Sequence, residues 1–163
     1  MKLSHQFGFE LLKDALGEKL TWSNFISAEN VLLLLTYANT YQATRLLEKC
    51  CTLVDSHAMT VLCSDAILTV NYRLLMLILS RDSLCVPETQ IFQTVVRWKE
   101  RNEVNEEEMK GILDCVRLTE LPPQVIFNEI EASGLFESSH IMQALRAQIK
   151  PDIELMKPRG LKC

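Results

Sequence analysis

The stretch LSRDSLCVPETQIFQTVVRW, residues 79–98, is the most informative part of this chain. One predicted helix ends near Arg81. After a short loop, Pro87 opens the next helix, because proline suits the first helical position, where the N–H has no intrahelical partner. Glu88 then lies in the first turn, where the helix dipole favours a carboxylate. Three apolar residues follow at the i, i+4, i+7 spacing of one helix face: Ile91, Val95 and Trp98. The stretch is therefore a helix-packing element without chemistry, which favours an interaction module.

Composition narrows the functional classes. The 163 residues suit one domain, or one domain plus a fragment, and 48% hydrophobic residues are enough for a core. A net charge of −4 and the lack of a basic patch argue against a nucleic-acid partner. The longest apolar runs, residues 31–35 and 74–79, are far shorter than the roughly 20 residues that span a bilayer. The N-terminus becomes polar at once, so we expect neither a secretory signal nor a membrane partner.

The six cysteines show no disulfide framework, so we expect reduced thiols in a cytoplasmic protein. Cys50 and Cys115 then act as small buried hydrophobes. Cys50, Cys51, His57 and Cys63 lie within one short region. Adjacent cysteines on a helix point about 100° apart and cannot easily face one ion. We therefore expect no metal and no cofactor.

Catalytic signatures are also missing from the sequence. His5, His57 and His140 lie in no recognised motif, and the five glycines never cluster as a phosphate-binding loop requires. We predict that the chain is not an enzyme. An enzyme whose site is assembled from distant residues stays as the least favoured alternative.

Along the chain, apolar residues recur at helical spacing, and no alternating strand pattern persists, which predicts an all-α protein. After Ser27, a plausible N-cap, comes a stripe formed by Val31, Leu34, Leu35 and Ala38. A turn at residues 39–41 leads to a second stripe, so the two segments are predicted to form an antiparallel helix pair. That second stripe is formed by Ala43, Leu46, Leu47, Cys50 and Val54.

Further helix boundaries are visible downstream. Asn105 and Glu108 have the spacing of a capping box. Pro122 and Pro123 open a short helix that ends at Ser133-Gly134, and Ser138 or Ser139 is predicted to cap a last helix.

The motif L…RDSL.VPE..IF..V.RW, followed by the VRL of residues 116–118, resembles the BACK domain that follows the BTB domain in cullin-linked adaptor proteins. LSHQFGFELLKDALGEKL is similar to the closing helices of a BTB domain. The segment from SAENVLLLL to AMTVLCSD resembles the helix pair, or 3-box, that joins BTB to BACK. The resemblance covers residues 2–146. It implies partial BTB helices in residues 1–22, the 3-box and BACK domain in residues 23–149, and a linker in residues 150–163.

This resemblance implies a scaffold and adaptor role in a cullin-3 ubiquitin ligase, with cullin-3 as partner and a substrate-binding module beyond Pro151. Catalysis would then belong to the ligase machinery. The alternative is a helical protein–protein interaction module without a ubiquitin role.

A second row of apolar side chains lies outside the stripe that the helix needs for its core. Leu33, Tyr37 and Tyr41 follow at i, i+4 and i+8, on a different side of the helix from the buried stripe. A helix that is apolar on two sides is either central in its bundle or exposes a docking surface. The resemblance favours docking, because in this family the helix pair builds part of the groove that holds the cullin's N-terminal segment.

The N-terminal helices pose a separate question, because the sequence for the BTB sheet and its dimer-forming part is absent. We therefore do not expect BTB-type dimerisation. We expect self-association through the apolar residues of these helices, relieved by deleting residues 1–20. Those residues are Leu3, Phe7, Phe9, Leu12 and Leu16.

Overall fold

The structure is a computed structural model that describes residues 25–149, and every regular element in that range is helical. The chain divides into two compact units at Ile78. The prediction of an all-α fold is confirmed over these residues. The partial BTB helices expected in residues 1–22, with their predicted self-association, and the linker expected in residues 150–163 lie outside the described range.

The first unit contains the predicted helix pair. Helices α1 and α2 pack together, and the predicted α1 stripe is buried, as are Leu46, Cys50 and Val54 of α2. Leu47 is only half-buried. The helical elements are α1 (Val31–Thr40), α2 (Thr44–Ser56), α3 (Ala58–Cys63), a 3₁₀ turn (Asp65–Thr69) and α4 (Tyr72–Leu79), whose last residue falls in the second unit.

The turn between α1 and α2 lies later than predicted, because α1 continues to Thr40. Gln42 adopts a left-handed conformation with φ 53°. The N–H of Ala43 donates to the carbonyl of Ala38 at 2.9 Å, and that of Gln42 to Asn39 at 3.4 Å. These two bonds form a Schellman motif, which usually carries glycine at the left-handed position. Because this position is occupied by glutamine and not glycine, the end of the helix could not be predicted from the sequence.

The start of α1 also differs from the prediction. Asn30, not Ser27, precedes the first helical residue, Val31. The Ser27 carbonyl accepts from the Val31 N–H at 2.9 Å. Further along, the Asn71 side chain accepts from the Leu74 N–H at 2.9 Å at the start of α4, a cap that the sequence reading missed.

The second unit is built around the face of α5 predicted from the sequence. Ile91 and Val95 are fully buried, and Trp98 is 1% exposed, which confirms the helix register. The elements are α5 (Glu88–Arg101), α6 (Glu106–Leu113), a 3₁₀ turn (Leu118–Glu120), α7, formed by Pro123–Val125, Ile126–Ile130 and Glu131–Ser133 in succession, and α8 (Ser138–Ile149).

The ends of these helices confirm two predictions and correct two. The capping box of Asn105 and Glu108 is present, and Gly134, with φ 63°, ends α7. Pro87 is the N-cap of α5 and not its first helical residue. Helix α8 begins at Ser138 itself, so the residue before it is Glu137. The middle of α7 is a π-helical turn, which no feature of the sequence predicted.

Candidate functional site

The exposed face of α1 carries the three residues singled out from the sequence. Leu33 is 58% exposed and Tyr37 is 45% exposed, whereas Tyr41, just after the helix, is half-buried. The rings of Tyr37 and Tyr41 stack, with centroids 6.3 Å apart and planes inclined by 16°. The structure therefore places the two aromatic residues side by side, with Leu33 one turn before Tyr37 on the same row.

Two neighbouring threonines make this face less polar than the sequence suggests. The hydroxyl of Thr36 donates to the Leu32 carbonyl, and that of Thr40 to the Thr36 carbonyl, each at 2.8 Å. No charged residue occurs between Asn30 and Thr44. Because the helix itself accepts both hydroxyl protons, the face offers a partner mainly aliphatic and aromatic surface. Such a surface suits an apolar segment rather than a charged ligand.

The RDSL…PE and VRL motifs meet in the second unit. Glu88 is only 7% exposed, and its Oε1 accepts the backbone N–H of Arg117 at 2.7 Å. The Arg117 guanidinium forms an ion pair with Asp82, which is mostly exposed. These contacts join the loop before α5, the first turn of α5 and the segment after α6. The motif therefore stabilises the fold, and no reactive group takes part in it.

The cysteines differ in their environment. Burial, reinforced by neighbouring Cys51, raises the pKa of the Cys50 thiol to about 12, so this thiol stays protonated near neutral pH. Cys115 forms no disulfide and is only half-buried, which corrects its predicted burial. Cys50, Cys51, Cys63 and Cys115 take part in no disulfide, which agrees with the predicted reduced thiols at these four residues.

Neither a metal cluster nor a membrane span is seen between residues 25 and 149. No three His, Cys, Asp or Glu side chains in that range are placed to hold a metal ion together. No helix there is both long and apolar enough to cross a membrane. His57, an exposed residue between α2 and α3, has its Nδ1 within 2.9 Å of the Ser56 hydroxyl, and His5 lies outside the described residues.

The second unit also has an open groove of about 1220 Å³, in which His140 is found. Apolar residues such as Met109 and Ala144 line it, and its charged residues have both signs. Because positive and negative charges are mixed, the groove favours no single class of charged ligand. The charged lining residues are Lys99, Lys110, Glu106, Asp114 and Glu137.

Comparison with known proteins assigns the chain to a protein family. The family model for BACK, described as "BTB And C-terminal Kelch", matches residues 31–131, from the start of α1 to α7. The chain belongs to the BACK family. The match contains the exposed row of α1 as well as Glu88 and Arg117, so both features lie within the BACK region.

Individual relatives agree with this assignment. The chain is 30% identical to BTB/POZ domain-containing protein 9 of Rattus norvegicus and 29% identical to that of Homo sapiens, each over 148 residues, 91% of this chain and 24% of the relative. It is 23% identical to Kelch-like protein 2 of Rattus norvegicus over 155 residues, 88% of this chain and 26% of the relative. The chain thus spans about a quarter of the length of these relatives.

Proposed function

We propose that this chain is the non-catalytic adaptor region of a substrate receptor in a cullin-3 ubiquitin ligase, and that Leu33, Tyr37 and Tyr41 bind the cullin. The observation that carries this proposal is the exposed, uncharged apolar row on α1. Leaving a leucine and a tyrosine of one row in water gains nothing for the isolated fold, whereas a partner that covers them gains burial of apolar area.

The rest of the chain would then connect the bound cullin to a substrate-binding module. We place this ligase in the cytoplasm. Residues 1–22 would complete the cullin-bound BTB end, residues 23–149 would form the 3-box and BACK helices, and residues 150–163 would lead to a substrate-binding module. These helices would link the cullin-bound end of the receptor to the substrate-binding module. The assignment to a family named for BTB and Kelch supports this arrangement.

Calorimetry tests the cullin contact. The N-terminal region of cullin-3 is titrated into the chain, and into the chain joined behind a complete BTB domain. The wild-type chain should bind cullin-3 at least when it is joined behind a complete BTB domain. Tyr37→Ala should weaken binding roughly thirtyfold, the effect of losing about 2 kcal/mol at an aromatic anchor. The melting temperature should hardly change, because the Tyr37 ring is outside the core.

Phe127→Ala is the matched control, since Phe127 is an aromatic residue of the second unit that is 55% exposed. It should leave cullin affinity unchanged. Absence of wild-type binding in both forms would contradict the cullin role. A sharp drop in melting temperature for Tyr37→Ala, with unchanged affinity of the folded protein, would place the cullin surface elsewhere.

A plain helical interaction module remains the second candidate, and the groove of the second unit is the observation that favours it. In that case the chain binds other proteins and no cullin. Crosslinking mass spectrometry on the intact receptor would distinguish the two candidates, because only the adaptor would crosslink to cullin-3 through α1.

A further inference from the structure

The surface on α1 does not end at Leu33. Phe25, in the turn before the helix, is 53% exposed, and the sequence analysis did not single it out. An exposed aromatic side chain in a connecting segment gains little for the isolated fold. The backbone of Phe25, however, is hydrogen-bonded to a residue at the start of α1.

Asn30 forms hydrogen bonds to this segment with both the nitrogen and the oxygen of its side-chain amide. Its Nδ2 donates to the Phe25 carbonyl at 2.7 Å, and its Oδ1 accepts the Ser27 N–H at 2.9 Å. One side chain therefore fixes the backbone of the segment at two points, five and three residues before it.

Asn30 also belongs to the same row as the candidate partner residues. Its backbone is helical, with φ −111° and ψ −5°, and its carbonyl accepts the Leu34 N–H at 3.0 Å. Helical spacing can therefore be counted from Asn30: Leu33 is at i+3, Tyr37 at i+7 and Tyr41 at i+11. The residue that holds Phe25 stands at the N-terminal end of the exposed row.

We infer that Phe25 is a further partner-binding residue, held by Asn30 at the N-terminal end of the α1 surface, and that an apolar segment of cullin-3 contacts Phe25, Leu33 and Tyr37 together. This inference rests on the proposed function. Asn30 acts as a positioning residue, since its polar atoms are used within the chain. The absence of charge from Asn30 to Thr44 suits an apolar partner segment along α1, and in the segment from Phe25 to Asn30 the exposed Glu29 is the one charged residue.

Two substitutions separate the roles. Phe25→Ala removes the side chain and should weaken cullin-3 binding about tenfold or more, as for an aromatic anchor. Asn30→Ala removes the donor to the Phe25 carbonyl and the acceptor of the Ser27 N–H without adding a charge to the surface. It should weaken binding about threefold to tenfold, the scale of one hydrogen bond, with little change in the melting temperature, because both bonds are exposed.

The decisive measurement is the double variant, in the same protein form and titration as above. If Asn30 acts through Phe25, Asn30→Ala should have no further effect once Phe25 is alanine, so the two changes are not additive. Additive losses would show that Asn30 does not act through Phe25, and an unchanged affinity for Phe25→Ala would overturn the inference. If one of these two results is found but Tyr37→Ala still weakens cullin-3 binding, the inference about Phe25 is wrong and the proposed function stands. If the wild type does not bind cullin-3 at all, the proposed function itself is wrong.

Discussion

The buried carboxylate of Glu88 provides the sharpest test of how the family motif works. We predict that Glu88→Ala destabilises the protein, because the N–H of Arg117 loses a charged acceptor at 2.7 Å in a place where Glu88 is 7% exposed. A hydrogen bond to a charged group contributes about 1.5–3 kcal/mol. Loss of the charge at the helix N-terminus adds about 0.3–1 kcal/mol. The expected loss is therefore about 2–4 kcal/mol.

Glu107→Ala is the matched control. Glu107 is also a glutamate in the first turn of a helix, α6, but it is exposed. Its loss should cost only the helix-dipole contribution of about 0.3–1 kcal/mol. Asp82→Asn should likewise cost less than about 1 kcal/mol, because the ion pair of Asp82 with Arg117 is at the surface.

Urea unfolding followed by circular dichroism measures these differences, with the free energy of unfolding taken from the midpoint and slope. Hydrogen exchange at Arg117 adds a local readout, since its amide should exchange faster in Glu88→Ala. If Glu88→Ala and Glu107→Ala lose the same free energy, the contact between Glu88 and Arg117 contributes nothing, and the structural account of the motif is refuted.

Three further predictions concern the core, a helix end and the cysteines. Trp98→Ala should lower the free energy of unfolding by about 3–5 kcal/mol, and a loss under roughly 1 kcal/mol, typical of a surface residue, would contradict the burial of Trp98. Gly134→Ala should cost about 1 kcal/mol, because φ is 63° although a Cβ would meet no neighbour within 4 Å; equal stability of both proteins in urea would refute this strain. At pH 8, iodoacetamide should label exposed Cys63 well before Cys50, whose pKa is about 12; mass spectrometry that finds Cys50 modified first in the folded protein would contradict its burial.

The sequence predicted those parts of the fold that depend on local spacing. The buried faces of α1 and α5 follow from apolar residues one helical turn apart, and the capping box at Asn105 from a local exchange of hydrogen bonds. The end of α1 was missed because Gln42 takes the left-handed position that glycine usually occupies.

Contacts between distant residues were less visible. The bond from the Arg117 N–H to Glu88 joins residues 29 positions apart, so Glu88 looked like an ordinary first-turn carboxylate. At the candidate site, the row of Leu33 and Tyr37 was visible from spacing. Phe25 was not, because its place depends on a side-chain bond from Asn30 in a segment without periodicity.

We propose that the exposed face of α1 contacts cullin-3, and site-specific photo-crosslinking would detect this contact in the assembled complex. A benzoylphenylalanine placed at residue 37 or, as control, at residue 127 replaces an exposed aromatic side chain in each case. In the receptor with a complete BTB domain, irradiation with the cullin-3 N-terminal region should give a covalent adduct from residue 37 and none from residue 127. An adduct from residue 127 alone, or from neither position while the two proteins remain bound, would contradict the claim.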